Sequence, residues 1–115
     1  MVKIYDVMKK QTAALINELS LEVLAVEACE TVNKENGEII EFVRVDVEVA
    51  KGQGAFSRCQ FSVKIPDTKK VKVKQEELLE AEYQVFFCDL EISFVDTKGN
   101  VYFRATSYDV EREEE

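Results

Sequence analysis

Histidine is absent from this chain of 115 residues, which removes the commonest general base, proton shuttle and nitrogen metal ligand together. The sequence also lacks the phosphate-cradling patterns G-x-x-x-x-G-K-[ST] and G-x-G-x-x-G and the nucleophile elbow G-x-S-x-G. Nucleotide hydrolysis and acyl transfer are thereby disfavoured, and the chain reads as non-enzymatic and without a cofactor. No apolar run is long enough for a membrane span or a signal-peptide core, so a cytoplasmic location away from the membrane is expected. Three cysteines, Cys29, Cys59 and Cys88, are an odd number with no close-spaced pair. That fits neither a disulfide framework nor a zinc knuckle, and buried, reduced thiols that bind no metal are the expectation.

Hydrophobic residues make up 46% of the chain, enough at this length for one core without staples. Charge is unevenly placed. The segment from Lys51 to Lys74 holds seven basic residues (Lys51, Arg58, Lys64, Lys69, Lys70, Lys72, Lys74) and one acid, Asp67, so it carries +6 and leaves −14 for the rest of a chain whose net charge is −8. A local patch for something anionic, on a molecule that otherwise repels anions, is what such asymmetry suggests.

Along the chain, Asp6 reads as an N-cap, and Met8, Leu15, Ile16 and Leu19 form one stripe of an amphipathic helix over 7–19. A strand beginning near Ala14 is the competing reading. Leu21 to Val32 is a long first strand, and the Asn33 to Glu38 stretch with Asn36-Gly37 is a hairpin turn. Phe42 to Val49 alternates strictly, with Val43, Val45, Val47 and Val49 on one face and Phe42, Arg44, Asp46 and Glu48 on the other. Lys51-Gly52-Gln53-Gly54 turns the chain into a third strand, with Cys59, Phe61, Val63 and Ile65 inward, ended by the only proline, Pro66. Lys69 to Lys74 suggests a short edge strand, Gln75 to Ala81 a helical turn or two, and Tyr83 to Val95 a long fourth strand whose apolar face switches near Asp89 through a bulge or bend. After a turn at Asp96 to Asn100, Val101 to Val110 is the fifth strand; Glu111 to Glu115 reads as an acidic, disordered tail behind a single domain of residues 1–110.

Helix apart, strand-strand-strand-helix-strand-strand is the order of an OB-type barrel, so the expected fold is mainly β: five antiparallel strands in an OB-like barrel, an N-terminal helix, and a short helix between strands three and four. An open twisted antiparallel sheet packed on one helix is the alternative. On the barrel, the outer face of strands two and three is the usual oligonucleotide surface, and here it would show Phe42, Arg44, Arg58, Gln60 and Lys64, with Lys51 and Phe56 at the turn. Cations for phosphates and an aromatic for a base are what single-stranded nucleic acid needs. Against this, Arg44 and Arg58 have Asp46 and Glu48 within the hairpin to pair with, and Phe42 has a loop to lie under. On strand five, Tyr102, Arg104, Thr106 and Tyr108 share a face opposite Val101, Phe103 and Ala105, where the tyrosines either stack on a partner or cap the core. Acidic residues look scattered, with no carboxylate cluster at metal-ligand spacing.

The turn at Asn33 to Glu38, the strand running into Lys51-Gly52-Gln53-Gly54, the strand ending Val63-Lys64-Ile65-Pro66 and the stretch Val101-Tyr102-Phe103-Arg104-Ala105 together resemble a family of small accessory proteins carried by Gram-positive integrative and conjugative elements. That family includes proteins described as helicase processivity factors. The resemblance implies an accessory DNA-processing role, binding single-stranded DNA, a helicase or both, and it assigns no functional residue. A protein-interaction module, self-associating into a homo-oligomer, is the expectation from a different class, and a binder of a small anion is the third.

Overall fold

The structure is a computed structural model that describes residues 2–113. Its order is α1 (Ile4–Asn17), β1 (Leu21–Val32), β2 (Ile39–Val49), a 3-10 turn (Gly54–Phe56), β3 (Gln60–Pro66), α2 (Gln75–Glu80), β4 (Tyr83–Cys88), β5 (Glu91–Val95), β6 (Val101–Arg104) and β7 (Ser107–Arg112). The seven strands form one curled, open sheet in the order β5-β6-β3-β2-β1-β4-β7, not a closed five-stranded barrel. Nor is the sheet wholly antiparallel, because β3 and β6 run parallel, with Val63 opposite Phe103 and Lys64 opposite Arg104.

The count rises from five to seven because both late strands break. Asp89 takes a positive φ of 53°, a conformation aspartate tolerates better than most residues, and divides 83–95 into β4 and β5. The facing run breaks between β6 and β7, where the Thr106 backbone N–H donates to the Cys88 carbonyl at 3.0 Å and the Thr106 hydroxyl lies 3.0 Å from Asp89 Oδ2. Ala105, at the same break, donates its N–H to Lys64 O at 3.1 Å. The apolar switch near Asp89 is therefore the bend of the two readings, not the bulge, and it is sharp enough to end one strand and begin another.

Alternation over β2 places Val43, Val45, Val47 and Val49 in the core, at most 1% exposed, against Val63 and Ile65 of β3 and Leu21 and Val23 of β1. Gly37, at φ 72°, closes the β1–β2 hairpin, where the Asn33 N–H donates to the Glu38 carbonyl at 2.8 Å. The helix α1 starts earlier than the stripe suggested, with Lys3 at the cap and Asp6 inside the first turn, where its charge suits the helix dipole. Only Ala13 and Ile16 of α1 are buried, and Asn17 donates to the Phe87 carbonyl at 3.2 Å. Met8 and Leu15, expected to face the core, are exposed together with Ile4.

Residues 69–74 form no strand. Val73 is buried, and the segment is held by Tyr108, whose hydroxyl donates to Lys70 O at 2.5 Å and accepts from the Lys72 N–H at 2.9 Å. Tyr108 was expected to share a face with Tyr102 and Arg104, but the break at Thr106 turns it inward to 2% exposure, and burial pushes its phenol pKa up. The acidic tail also begins later than expected: Glu111 and Arg112 pair with Gln84 and Tyr83 in the β4–β7 ladder, while Glu114 and Glu115 lie outside the described residues.

The cysteines depart from the buried-thiol expectation. Cys59 and Cys88 are exposed, and Cys29 is partly so; all three are free thiols. Arg58 at φ 65° re-aims the chain just before β3 and takes Cys59 out of the inward row. In native buffer a thiol reagent is expected to label Cys59 and Cys88 promptly and Cys29 more slowly; protection of all three until denaturation would contradict this arrangement. Replacing Tyr108 with Phe strands the Lys70 carbonyl and the Lys72 N–H, and should cost about 1–3 kcal/mol in urea unfolding.

Candidate nucleic-acid interface

On the face of the sheet opposite the valine core, one row of side chains runs across five strands. Glu27 of β1 is opposite Arg44 of β2, Arg44 is opposite Lys64 of β3, Lys64 is opposite Arg104 of β6, and Arg104 is opposite Glu91 of β5. Three cations are thus adjacent in register, with one acid at either end. Strands lie about 4.8 Å apart, so the cations span roughly 10 Å. Arg44 Nη2 meets Glu27 Oε2 at 2.7 Å, and its Nε lies 3.5 Å from Asp46 Oδ1. Arg104 Nε donates to Glu91 Oε1 at 2.8 Å. Lys64, between them, has no ion-pair partner among the described residues; its ammonium sits 4.5 Å from the centre of the Phe42 ring.

Aromatics flank this row at opposite corners. Phe42, half-buried, lies two residues before Arg44 on β2 and opposite Pro66 of β3. Tyr102 lies two residues before Arg104 on β6 and stacks on Phe94 of β5, with centroids 4.4 Å apart and planes inclined by 12°. Both rings are open to solvent, Phe94 at 54% and Tyr102 at 40% exposure. The Tyr102 hydroxyl donates to Asp96 Oδ2 at 3.3 Å. Asp96 also accepts from the N–H groups of Lys98 and Asn100 and from the Asn100 side chain, and these bonds, the Asn100 side chain first, hold its pKa below the usual carboxylate range.

Of the six residues singled out from sequence, Phe42, Arg44 and Lys64 come together here. The other three do not join them. Lys51 lies seven residues beyond Arg44, past the end of β2, so roughly 20 Å separate them along the strand direction. There Lys51 and Arg58 border a shallow depression also lined by Glu22, Glu48 and Glu82, and Phe56 packs against the core. The +6 segment does not assemble one basic patch. Lys69 is bound to Glu41 at 2.5 Å, whose hydrogen bond and charge raise the lysine's pKa, and Lys72 is bound to Asp109 at 2.8 Å, which lowers that carboxyl's pKa. Phe94 was missed as a site residue, and Arg104, placed in a separate strand-five cluster, was not joined to Lys64. Arg104 sits 40 positions from Lys64, and only the parallel β3–β6 pairing makes them neighbours.

Glu22, Glu82 and Glu113 bring carboxylate oxygens within 4.8 Å of one another, a grouping of partly or fully exposed acids hidden by their sequence separation. Among the described residues this grouping is able to offer oxygen ligands to a hard cation. Comparison with protein-family models, with curated proteins and with solved structures finds no match to this chain.

Asp96 gains its hydrogen bonds only when folded, so its folded pKa is depressed; the stability it contributes is present above the unfolded carboxylate pKa near 4 and is lost as pH falls through the lower folded value. Asp96→Asn is accordingly expected to lower the melting temperature at pH 7 and to have little effect near pH 2, checked by thermal unfolding at both.

Proposed function

We propose that this chain is a non-enzymatic accessory module that binds single-stranded nucleic acid across the outer face of β2, β3 and β6. The single observation that carries the reading is the transverse row Arg44–Lys64–Arg104 with Phe42 beside it. Adjacent cations fit successive phosphates, and a half-exposed ring fits a base. An OB-like connectivity supports the same reading: β3 runs parallel to β6, β1 lies antiparallel to β4, and a helix separates β3 from β4. On this view β4 with β5, and β6 with β7, stand in the open sheet for single OB-type strands each broken in two. The resemblance to accessory proteins of integrative and conjugative elements points the same way, and the acidic remainder of the molecule suits a basic surface on a helicase partner.

Affinity on this face is weak and salt-sensitive, because Glu27, Asp46 and Glu91 balance the three cations and the whole chain is acidic. Three phosphate contacts give a salt slope of about −2 for a single strand. Lys64→Ala should reduce that slope by about 0.7, whereas Phe42→Ala should cost about 1–3 kcal/mol with the slope nearly unchanged. Fluorescence anisotropy with a labelled oligonucleotide at two salt concentrations checks both.

The exposed outer side of α1, with Ile4, Met8 and Leu15, favours a second reading as a protein-interaction module. Absence of any salt-dependent oligonucleotide binding near 50 mM salt would leave that reading in its place.

A further inference from the structure

Two features of the outer face lie beyond the cation row itself: the stacked, exposed pair Phe94–Tyr102, and the carboxylates that hold the row's two arginines. Together they define how the face is loaded. We infer that Phe94 and Tyr102 with Arg104 form a second subsite for a base and its phosphate, and that Glu91 occupies the phosphate position until a nucleic-acid strand displaces it. This rests on the single-strand reading above and deepens it.

Phe94 and Tyr102 are side by side on the hairpin at the sheet's edge, and their 4.4 Å separation is close to the spacing of neighbouring strands. One face of each ring lies against the other, and both residues remain exposed, Phe94 at the sheet edge the more so. Two large aromatic rings in solvent are costly unless something stacks on them. Their position is fixed from behind, since Asp96 accepts the Tyr102 hydroxyl and is itself held by the turn. A base can therefore stack with little ordering cost in the protein.

The phosphate half follows from Arg104. Its guanidinium is two residues along β6 from Tyr102, on the same face, and is engaged by Glu91. Both side chains of this pair are more than half exposed, and exposed ion pairs contribute little, so a phosphodiester, whose two non-bridging oxygens accept from the same guanidinium edge, exchanges with Glu91 at small cost. Glu27 stands in the same relation to Arg44 at the opposite end of the row. Lys64 alone is unpaired, and it is the point of first contact. From Phe42 on β2 to Tyr102 on β6 the diagonal crosses two strand spacings and about four residue rises, roughly 16 Å, so the strand runs obliquely over the row with a stacking platform at each end.

The test is fluorescence anisotropy with a fluorescein-labelled oligothymidylate of about 12 nucleotides, within the site sizes seen for such modules. Glu91→Gln should tighten binding several-fold, while Glu76→Gln on α2, which makes the same change in net charge away from the face, should leave it within about twofold. The Glu91→Gln gain should vanish in an Arg104→Ala background. Tyr102→Ala and Phe94→Ala should each weaken binding by about tenfold, and Tyr102→Phe, which keeps the ring, should not. A Glu91→Gln effect equal to that of Glu76→Gln, or one that persists without Arg104, overturns the displacement. Tyr102→Ala and Phe94→Ala variants that bind like the parent overturn the stacking subsite. If the parent binds and variants of Phe42, Arg44, Lys64 and Arg104 weaken it while those of Phe94, Tyr102 and Glu91 do not behave as stated, this inference fails and the single-strand reading stands; if neither the parent nor Glu91→Gln binds, both fail.

Discussion

Cys88 ends β4 and Glu91 begins β5, yet these strands lie five positions apart in the sheet. Laid flat, five spacings are about 24 Å, whereas three residue steps reach only about 11 Å. The same holds between Arg104 of β6 and Ser107 of β7. The sheet has to curl until its two ends come within reach of both links. Every other feature depends on that curl: the core inside it, the cover that α1 lends to one side, and the outer face that carries the charged row. Asp89 in its left-handed conformation and the Thr106 bonds to Cys88 and Asp89 make the turn sharp enough to serve.

The charges of this molecule are arranged in pairs across strands, and this is what separates sequence clustering from a surface patch. Lys69 and Lys72 are spent on Glu41 and Asp109; both contacts tie the 69–74 segment to the sheet. Arg44 and Arg104 are paired as well, through contacts about as exposed as that of Lys69, but they join strands that the backbone ladder already holds together. Lys64 leans on a ring instead of an acid. The difference between a structural cation and one at the disposal of a ligand therefore lies in what the partner holds in place, and not in the number of basic residues nearby.

The helix α1 presents apolar residues on two sides. Ala13 and Ile16 reach the sheet, and Asn17 binds the Phe87 carbonyl, so the helix is anchored at its C-terminal end. Ile4, Met8 and Leu15 then face solvent. A single 3.6-residue stripe was the natural reading of Met8, Leu15, Ile16 and Leu19, and the helix divides that stripe between inside and outside.

Local pattern by itself determined the strands whose neighbours in sequence are also neighbours in space. The period-two valines of β2, the Asn36-Gly37 turn and the single proline at the end of β3 are all decided by side-chain alternation and backbone torsions, which are properties of a few consecutive residues. Mainly β content, the short α2 and the Phe42–Arg44–Lys64 half of the face followed from the same rules. Tertiary structure alone decided the rest. The breaks at Asp89 and Thr106, the parallel meeting of β3 with β6, the inward turn of Tyr108 and the approach of Arg104 to Lys64 all require residues about 20 to 40 positions apart to satisfy one another's hydrogen bonds. Those partners come together only once loop closure and core burial have offset the entropy of joining them, so no window of neighbouring residues records them.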